Sequence, residues 1–172
     1  MGTIFATERF DVRPWTPDDA EVAFAMYSDP LVIRYLGGPK VPHESVDYSR
    51  EALGRLIARE HPPGQGMWAI EERATGAVVG SALCVPIEGD PEGRVEIGWH
   101  IVRARWGEGI ASEAGRGLAD YARALGLARV YALVVPENVA SSQVARKTGM
   151  TYVGRTTEFY DEELELYVLE FD

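Results

Sequence analysis

The residues from Arg94 to Ala114 constrain the fold of this chain more than any other part of its sequence. Apolar side chains occupy every second position of the first half, which predicts a β-strand with one face in a core: Val95, Ile97, Trp99 and Ile101. The positions between them place Glu96 and His100 on the opposite face. The next residues, Trp106–Gly109, contain two glycines, which lack a Cβ atom and allow a tight turn and close approach to another molecule.

A helix is predicted after this glycine turn, because apolar residues recur at helical spacing: Ile110, Ala114, Leu118, Tyr121, Ala122 and Leu125. The first amides of a helix have no partner within it and carry partial positive charge, so they attract anions such as phosphate. A strand, a glycine turn and an anchored helix therefore predict a cradle for a phosphorylated ligand. An ordinary tight connection without a ligand fits the same spacing.

The composition limits the class of protein. A chain of 172 residues suits a single domain, and we expect residues 1–172 to form it. A hydrophobic fraction of 46% and a charged fraction of 26% are typical of a soluble globular protein. The net charge of -10 argues against nucleic acid as a partner, because phosphate backbones would be repelled.

The sequence also bears on location and metal content. No apolar run is long enough to cross a membrane, and Met1–Glu8 lacks the basic start and long apolar stretch of a signal peptide. We therefore expect a cytoplasmic protein without a membrane partner. The single cysteine, Cys84, excludes an internal disulfide and a cysteine-based metal cluster, and we expect no metal. His43 and His61 stand in loop contexts and are expected to be solvated.

The rest of the chain alternates strand and helix patterns. Strands are predicted at Arg9–Trp15, Met67–Glu72, Val78–Val85, Arg129–Val135, Thr151–Thr157 and Glu163–Phe171. Helices are predicted from Thr16 to Asp29, from Ser45 to Arg59 and from Asn138 to Thr148. Together with the segment after Arg94, this order (β-α-α-β-β-β-α-β-α-β-β) predicts an α/β domain whose sheet has mixed strand directions.

Four segments resemble the GNAT N-acetyltransferases: Glu96–Trp99, Trp106–Ala114, Pro136–Ser141 and Lys147–Met150. They occur in the order and at the spacing of that family. Arg9–Pro14 resembles the first strand of the branch typified by the ribosomal-protein N-terminal acetyltransferases. The resemblance implies a GNAT-like α/β (α+β) fold with a mostly antiparallel sheet of about seven strands and about four helices. It also implies acetyl-CoA as cosubstrate and an amine as acceptor.

The resemblance assigns the cofactor contacts to ten residues: Ile101, Val102, Trp106, Gly107, Glu108, Gly109, Ile110, Ala111, Asn138 and Ser141. The family's diphosphate loop, Arg/Gln-x-x-Gly-x-Gly/Ala, matches Trp106–Ala111, with Trp106 in place of the first Arg or Gln. Family contacts after the central strand include the backbone of Ile101 and Val102. Asn138 matches an asparagine on the pantetheine side.

Acyl transfer to an amine needs a group that takes up a proton, because the amine is mostly protonated at neutral pH. Glu96 matches the position of the general base in several family members, and pairing with a neighbouring strand is its structural alternative. Glu158 is the competing candidate, since this branch can place a catalytic glutamate near the closing strand. The sequence leaves the choice between the two glutamates open.

Acyl transfer also needs hydrogen-bond donors for the carbonyl oxygen that gains negative charge, and the amides of Ile101 or Val102 are candidates. Ser141 matches a serine suggested to protonate the leaving thiolate, and helix capping is its alternative role. The tyrosine that many family members use for this step is replaced by Ala145. His100 shares the face of Glu96, and we expect it to be a hydrogen-bonded structural residue.

These features predict an acetyl-CoA-dependent N-acetyltransferase that acts by direct attack in a ternary complex. The acceptor is a protein N-terminus or a small amine, and a homodimer is the default assembly. The alternative is a non-catalytic CoA-binding module used for sensing or assembly. A dinucleotide-binding protein is excluded because Ser112 stands where the G-x-G-x-x-G pattern requires its last glycine.

Overall fold

The computed structural model describes residues 2–37 and 40–171, so Met1, Gly38, Pro39 and Asp172 of the expected 1–172 domain lie outside it. The described residues form one sheet in the spatial order β1-β2-β3-β4-β5-β6-β8-β7. Its eight strands are Phe5–Ala6 (β1), Phe10–Arg13 (β2), Gly66–Glu72 (β3), Val78–Pro86 (β4), Val95–Ile101 (β5), Arg129–Val134 (β6), Thr151–Thr156 (β7) and Leu164–Glu170 (β8). Neighbouring strands are antiparallel except β5 and β6, which are parallel. The predicted mixed, mostly antiparallel α/β fold is confirmed.

Helices cover both faces of this sheet. The α-helices in the described part are Ala20–Tyr27 (α1), Pro30–Ile33 (α2), Val46–Ala58 (α3), Ile110–Ala124 (α4) and Val139–Lys147 (α5). The strand β1 is an addition to the predicted order, and the helix α2 overlaps Leu31–Tyr35, where the sequence predicts a further short turn. The helix α2 forms because Pro30 occupies its first turn and the Asp29 carboxylate accepts the Leu31 amide at 2.9 Å, which caps a new helix directly after α1.

The predicted alternation along β5 is confirmed. Val95, Ile97 and Ile101 are buried in a core that also contains Ile110 and Leu118 of α4. The opposite face of β5 carries Glu96 and His100, and a separate cluster that includes Trp15, Met26 and Leu53 packs with α1 and α3. The core side therefore anchors α4, while the other side presents the polar residues to the helices α1–α3.

The strands β5 and β6 diverge soon after they meet. They share one aligned pair, Glu96 with Tyr131, whereas β6 pairs with β8 along its full length from Arg129 to Val134. A parallel pair that is lost after one position leaves backbone groups of β5 without a strand partner on this side. The divergence opens a cleft in the middle of the sheet.

The hydrogen-bonding register of β5 determines which amides face this cleft. The Val102 amide donates to the Val79 carbonyl at 3.0 Å, and the Ile87 amide donates to the Arg94 carbonyl at 2.8 Å. Because the hydrogen-bonded pairs of an antiparallel ladder alternate, the even-numbered residues of β5 bond to β4. The amide of Ile101 therefore points away from β4 and into the cleft.

Candidate active site

A groove of about 530 Å³ occupies the cleft between the diverging strands. Its wall is formed by the second half of β5, the glycine turn, the start of α4 and the start of α5. Most of the sequence-predicted cofactor residues line it: Ile101, Trp106, Gly107, Gly109, Ile110, Ala111, Asn138 and Ser141. The fold therefore brings together, in one groove, segments that are up to 40 residues apart in the sequence.

The glycine turn prepares an anion site at the start of α4. Gly107 and Gly109 have φ angles of 82° and 77°, a left-handed conformation that residues with a Cβ atom rarely adopt. Gly109 is the N-cap residue of α4 and has no side chain to cap the helix. The amides of Ile110 and Ala111 therefore lack both an intrahelical partner and a side-chain cap, and a diphosphate fits this site.

Two of the predicted cofactor residues, Val102 and Glu108, are outside the groove lining. Of the two candidate donors, Ile101 and Val102, the Val102 amide is bonded to the Val79 carbonyl at 3.0 Å within the sheet. The Glu108 carboxylate pairs with Arg105 Nε at 2.7 Å, so a contact of Glu108 with the cofactor would come from its backbone amide on the glycine turn. The Ile101 amide is left as the donor that faces the groove.

The candidate base Glu96 lies where the groove meets a second cavity of about 580 Å³. Its carboxylate accepts a hydrogen bond from the Tyr160 hydroxyl at 2.8 Å. Burial raises the pKa of Glu96 to about 7, while the Tyr160 hydroxyl and the Leu133 amide favour the charged form and limit this rise. A carboxyl group with this pKa exchanges protons readily near neutral pH.

The raised pKa of Glu96 also predicts a pH-dependent stability. Its pKa of about 7 in the folded state exceeds the ordinary pKa of a glutamate, so the buried acid stabilises the fold at low pH and this contribution is lost as the pH rises through 7. Between pH 5 and pH 8 the native chain should therefore lose roughly 2 kcal/mol of unfolding free energy that Glu96→Gln does not lose. Relative to the native chain, the variant gains this amount. Urea unfolding at both pH values measures this difference. Glu158→Gln controls for the removal of a carboxylate, and an equal gain in both variants would contradict the prediction.

Tyr160 lies in a loop that we expect from the sequence to be near the acceptor, but its contact with Glu96 was not predicted. This loop joins the last two predicted strands, and the structure has Tyr160 and Asp161 at φ angles of 57° and 54°. A left-handed backbone is costly for a tyrosine, and it persists only when surrounding contacts enforce it. The hydrogen bond to Glu96 is one such contact, and it spans 64 residues of sequence, so no local pattern could signal it.

The histidines differ in how well they were predicted. His100 is hydrogen-bonded, as expected, with its Nδ1 atom 3.1 Å from the Tyr27 hydroxyl. Burial lowers its pKa to about 4, so it is neutral at physiological pH. His43 and His61 were expected to be solvated, but both are partly buried. His43 bonds to Ser49 Oγ at 2.8 Å because the turn before α3 folds its ring against that helix.

Glu158 and Ser141 have very different surroundings. The Glu158 side chain is 65% exposed, lies 3.4 Å from Arg94 Nη2 and is outside the lining of both cavities. Ser141 lines the groove. The α5 helix is capped by Asn138, whose Oδ1 accepts the Ser141 amide at 3.2 Å, so the capping role belongs to Asn138 and not to the Ser141 hydroxyl.

The described residues also bear on other classes of protein. No group of three or more His, Cys, Asp or Glu side chains in this part of the chain is arranged to hold a metal ion. Separately, none of the described helices has the length and apolar character needed to span a membrane.

The class of this protein follows from comparison with known families. A family model described as "Acetyltransferase (GNAT) domain" matches residues 9–151, and the chain belongs to this family. One relative, named "Uncharacterized N-acetyltransferase YoaA" of Bacillus subtilis, is 32% identical over 90% of this chain and 86% of its own length. GNAT acetyltransferases use acetyl-CoA as the acetyl donor.

Solved structures share this fold. RimJ of Mycobacterium smegmatis in complex with CoA-disulfide has a TM-score of 0.80 at 20% identity and covers 99% of this chain and 90% of its own. The ribosomal L7/L12 α-N-protein acetyltransferase RimL, in complex with coenzyme A, has a TM-score of 0.77 at 18% identity and covers 99% of both chains. Both similarities are similarities of fold.

Proposed function

We propose that this chain is an N-acetyltransferase that moves the acetyl group of acetyl-CoA to a primary amine in a ternary complex, with Glu96 as the general base. The observation that carries the proposal is the position of Glu96. It is the titratable carboxylate shared by the groove and the second cavity, and its pKa is about 7. An acceptor in the second cavity and an acetyl donor in the groove would meet at this residue.

The residues of the groove fit acetyl-CoA, which supplies an activated acyl group as a thioester. The amides of the glycine turn and of Ile110 and Ala111 would hold the diphosphate, because they are uncapped and lie at a helix N-terminus. The Ile101 amide would donate to an acyl or pantetheine oxygen, since it faces the gap left by β6. Asn138 and Ser141 line the side of the groove formed by α5.

Glu96 removes the proton that an ammonium group carries into the second cavity. A base is most effective when its pKa lies near the working pH, which the burial of Glu96 provides. Tyr160 fixes the carboxylate by its hydrogen bond at 2.8 Å and donates to the charged form. Ser141, in the first turn of α5, is the proton donor for the departing sulfur, since its hydroxyl is not the helix cap.

The direct test is the release of free thiol from acetyl-CoA in the presence of a panel of primary amines, including peptides with a free N-terminus. The proposal predicts thiol release that depends on the amine and the corresponding N-acetylated product by mass spectrometry. CoA binding without thiol release across the panel would instead support a non-catalytic CoA-binding module.

Replacing Tyr160 by Phe should shift the pH dependence of the reaction. The phenol hydroxyl stabilises the ionised form of Glu96, so its loss raises the pKa of that carboxyl. We expect the acid limb of the kcat/KM profile to move to higher pH by roughly 1 unit, with smaller losses above pH 9 than at pH 7. A Tyr152→Phe variant is the matched control, because Tyr152 is an exposed tyrosine of β7. An unchanged limb in Tyr160→Phe would contradict the assignment.

A further inference from the structure

The second cavity has the dimensions of a small-molecule site. Its volume of about 580 Å³ lies within the range of about 300–1,000 Å³ that is usual for ligand pockets. It lies between the C-terminal end of α3, the strands β3 to β6 and the turn that carries Tyr160. Glu96 lines both this cavity and the groove.

The wall of this cavity is mainly apolar and aromatic. Aliphatic side chains from α3, β3, β4 and β6 contribute to it, and they include Leu56, Met67, Val85 and Leu133. Three tyrosines also face it: Tyr27, Tyr35 and Tyr160. Apolar walls favour an apolar ligand body and penalise unpaired polar groups.

The charges around the cavity are mostly negative. Besides Glu96, the ionisable groups in its lining are Arg59, Glu60, Glu88, Glu162, Tyr27, Tyr35, Tyr160, His61 and His100. The one arginine among them has its Nη2 atom 4.0 Å from Glu88 Oε2. Glu162 pairs with Lys40 at 2.5 Å. Burial lowers the pKa of both His61 and His100, which favours the uncharged form of these rings.

The one arginine in the described lining, Arg59, is 62% exposed and has Glu88 as its neighbour, so a ligand carboxylate or phosphate near Glu96 would meet more carboxylates than cations. Burying an unpaired anion is expensive, and like charges nearby increase the cost. An ammonium group is attracted by the same carboxylates.

We infer that the acceptor is a small primary amine on an apolar or aromatic body, free of carboxylate and phosphate groups. This inference rests on the proposed function and narrows its acceptor. The single amine reaches Glu96, and the apolar body fills the space between Leu56 and Val85.

Matched amines test the inference by kcat/KM. The three amines share an aromatic body. Phenethylamine carries no further group, phenylalaninamide carries a neutral amide, and phenylalanine carries a carboxylate. We expect phenethylamine and phenylalaninamide to exceed phenylalanine by roughly 100-fold, because one unpaired buried charge costs several kcal/mol. A preference for phenylalanine, spermidine or an N-terminal peptide over phenethylamine would overturn the inference while leaving acetyl transfer to amines intact.

Calorimetry separates this inference from the proposed function. The protein saturated with CoA is titrated with phenethylamine or with phenylalanine, which measures binding without turnover. Binding of phenethylamine that is at least tenfold tighter supports the inference even if no amine releases thiol. Equal binding, or no binding of either amine, contradicts it.

A charge variant provides a second test. Glu88→Gln frees Arg59 from its carboxylate neighbour, so the preference for phenethylamine over phenylalanine should fall by roughly fivefold. Glu51→Gln is the matched control, because Glu51 and Arg55 form a pair of the same 4.0 Å separation on α3, away from the cavity. An unchanged preference in Glu88→Gln would contradict the charge argument.

Discussion

Glu96→Gln is expected to lower kcat by about 10²- to 10⁴-fold while the fold and CoA binding are retained. Glutamine has the shape of glutamate and can still accept the hydrogen bond from Tyr160, but it cannot take up a proton. Steady-state thiol release with saturating amine measures kcat, and circular dichroism confirms the fold. Raising the pH should restore part of the activity, because more of the amine is then deprotonated in solution.

Glu158→Gln is the comparison that separates the two candidate bases. Glu158 is exposed, lies 3.4 Å from Arg94 and is outside both cavities, so we expect its kcat to stay within about twofold of the native value. A large loss in Glu158→Gln together with a small loss in Glu96→Gln would reverse the assignment of the base. Large losses in both would indicate that the turn at Tyr160 reorganises during the reaction.

Gly107→Asp is expected to weaken CoA binding by roughly 10- to 100-fold. Gly107 has a φ angle of 82°, and a Cβ atom added there would have no neighbour within 4 Å. Asp tolerates this left-handed conformation better than most residues, so the main effect is a negative charge beside the proposed diphosphate site. Calorimetric titration with CoA at low salt measures the loss, and it should shrink at high salt because the interaction is screened.

Gly107→Asn is the matched control for this charge. Asn has the size of Asp and adopts the left-handed conformation as readily, so it carries the same backbone and steric effects without the charge. We expect its dissociation constant to rise by less than about threefold. Equal losses in the two variants would show that the weaker CoA binding comes from the shape of the new side chain and not from its charge. That result would argue against a diphosphate at the start of α4.

The sequence was sufficient to predict features that depend on the residue pattern of one strand or one helix alone. The alternation of Val95, Ile97 and Ile101 predicted both the core face of β5 and the position of Glu96 on the opposite face, because a strand has a period of two. The two-residue strand β1 could not be predicted, since two residues show no period. The helix α2 was not predicted as a helix, because the Asp29–Pro30 pair reads as the end of α1 although it also caps a new helical turn.

The site was less predictable than the fold. The Val102 amide was a reasonable donor until the pairing of β4 with β5 was known, because the partner of an amide depends on register. Asn138 and Ser141 are both good helix caps by residue type, and only the geometry of the turn assigns the role to Asn138. The contact between Tyr160 and Glu96 joins distant segments, so it became visible only in three dimensions.

A crystal structure of the complex with coenzyme A would locate both the diphosphate and the thiol. We expect diphosphate oxygens within hydrogen-bond distance, about 2.7–3.2 Å, of the amides between Gly107 and Ala111. We also expect the thiol at the junction next to Glu96. A diphosphate bound elsewhere, with those amides turned away from it, or a thiol directed away from Glu96, would contradict the proposal.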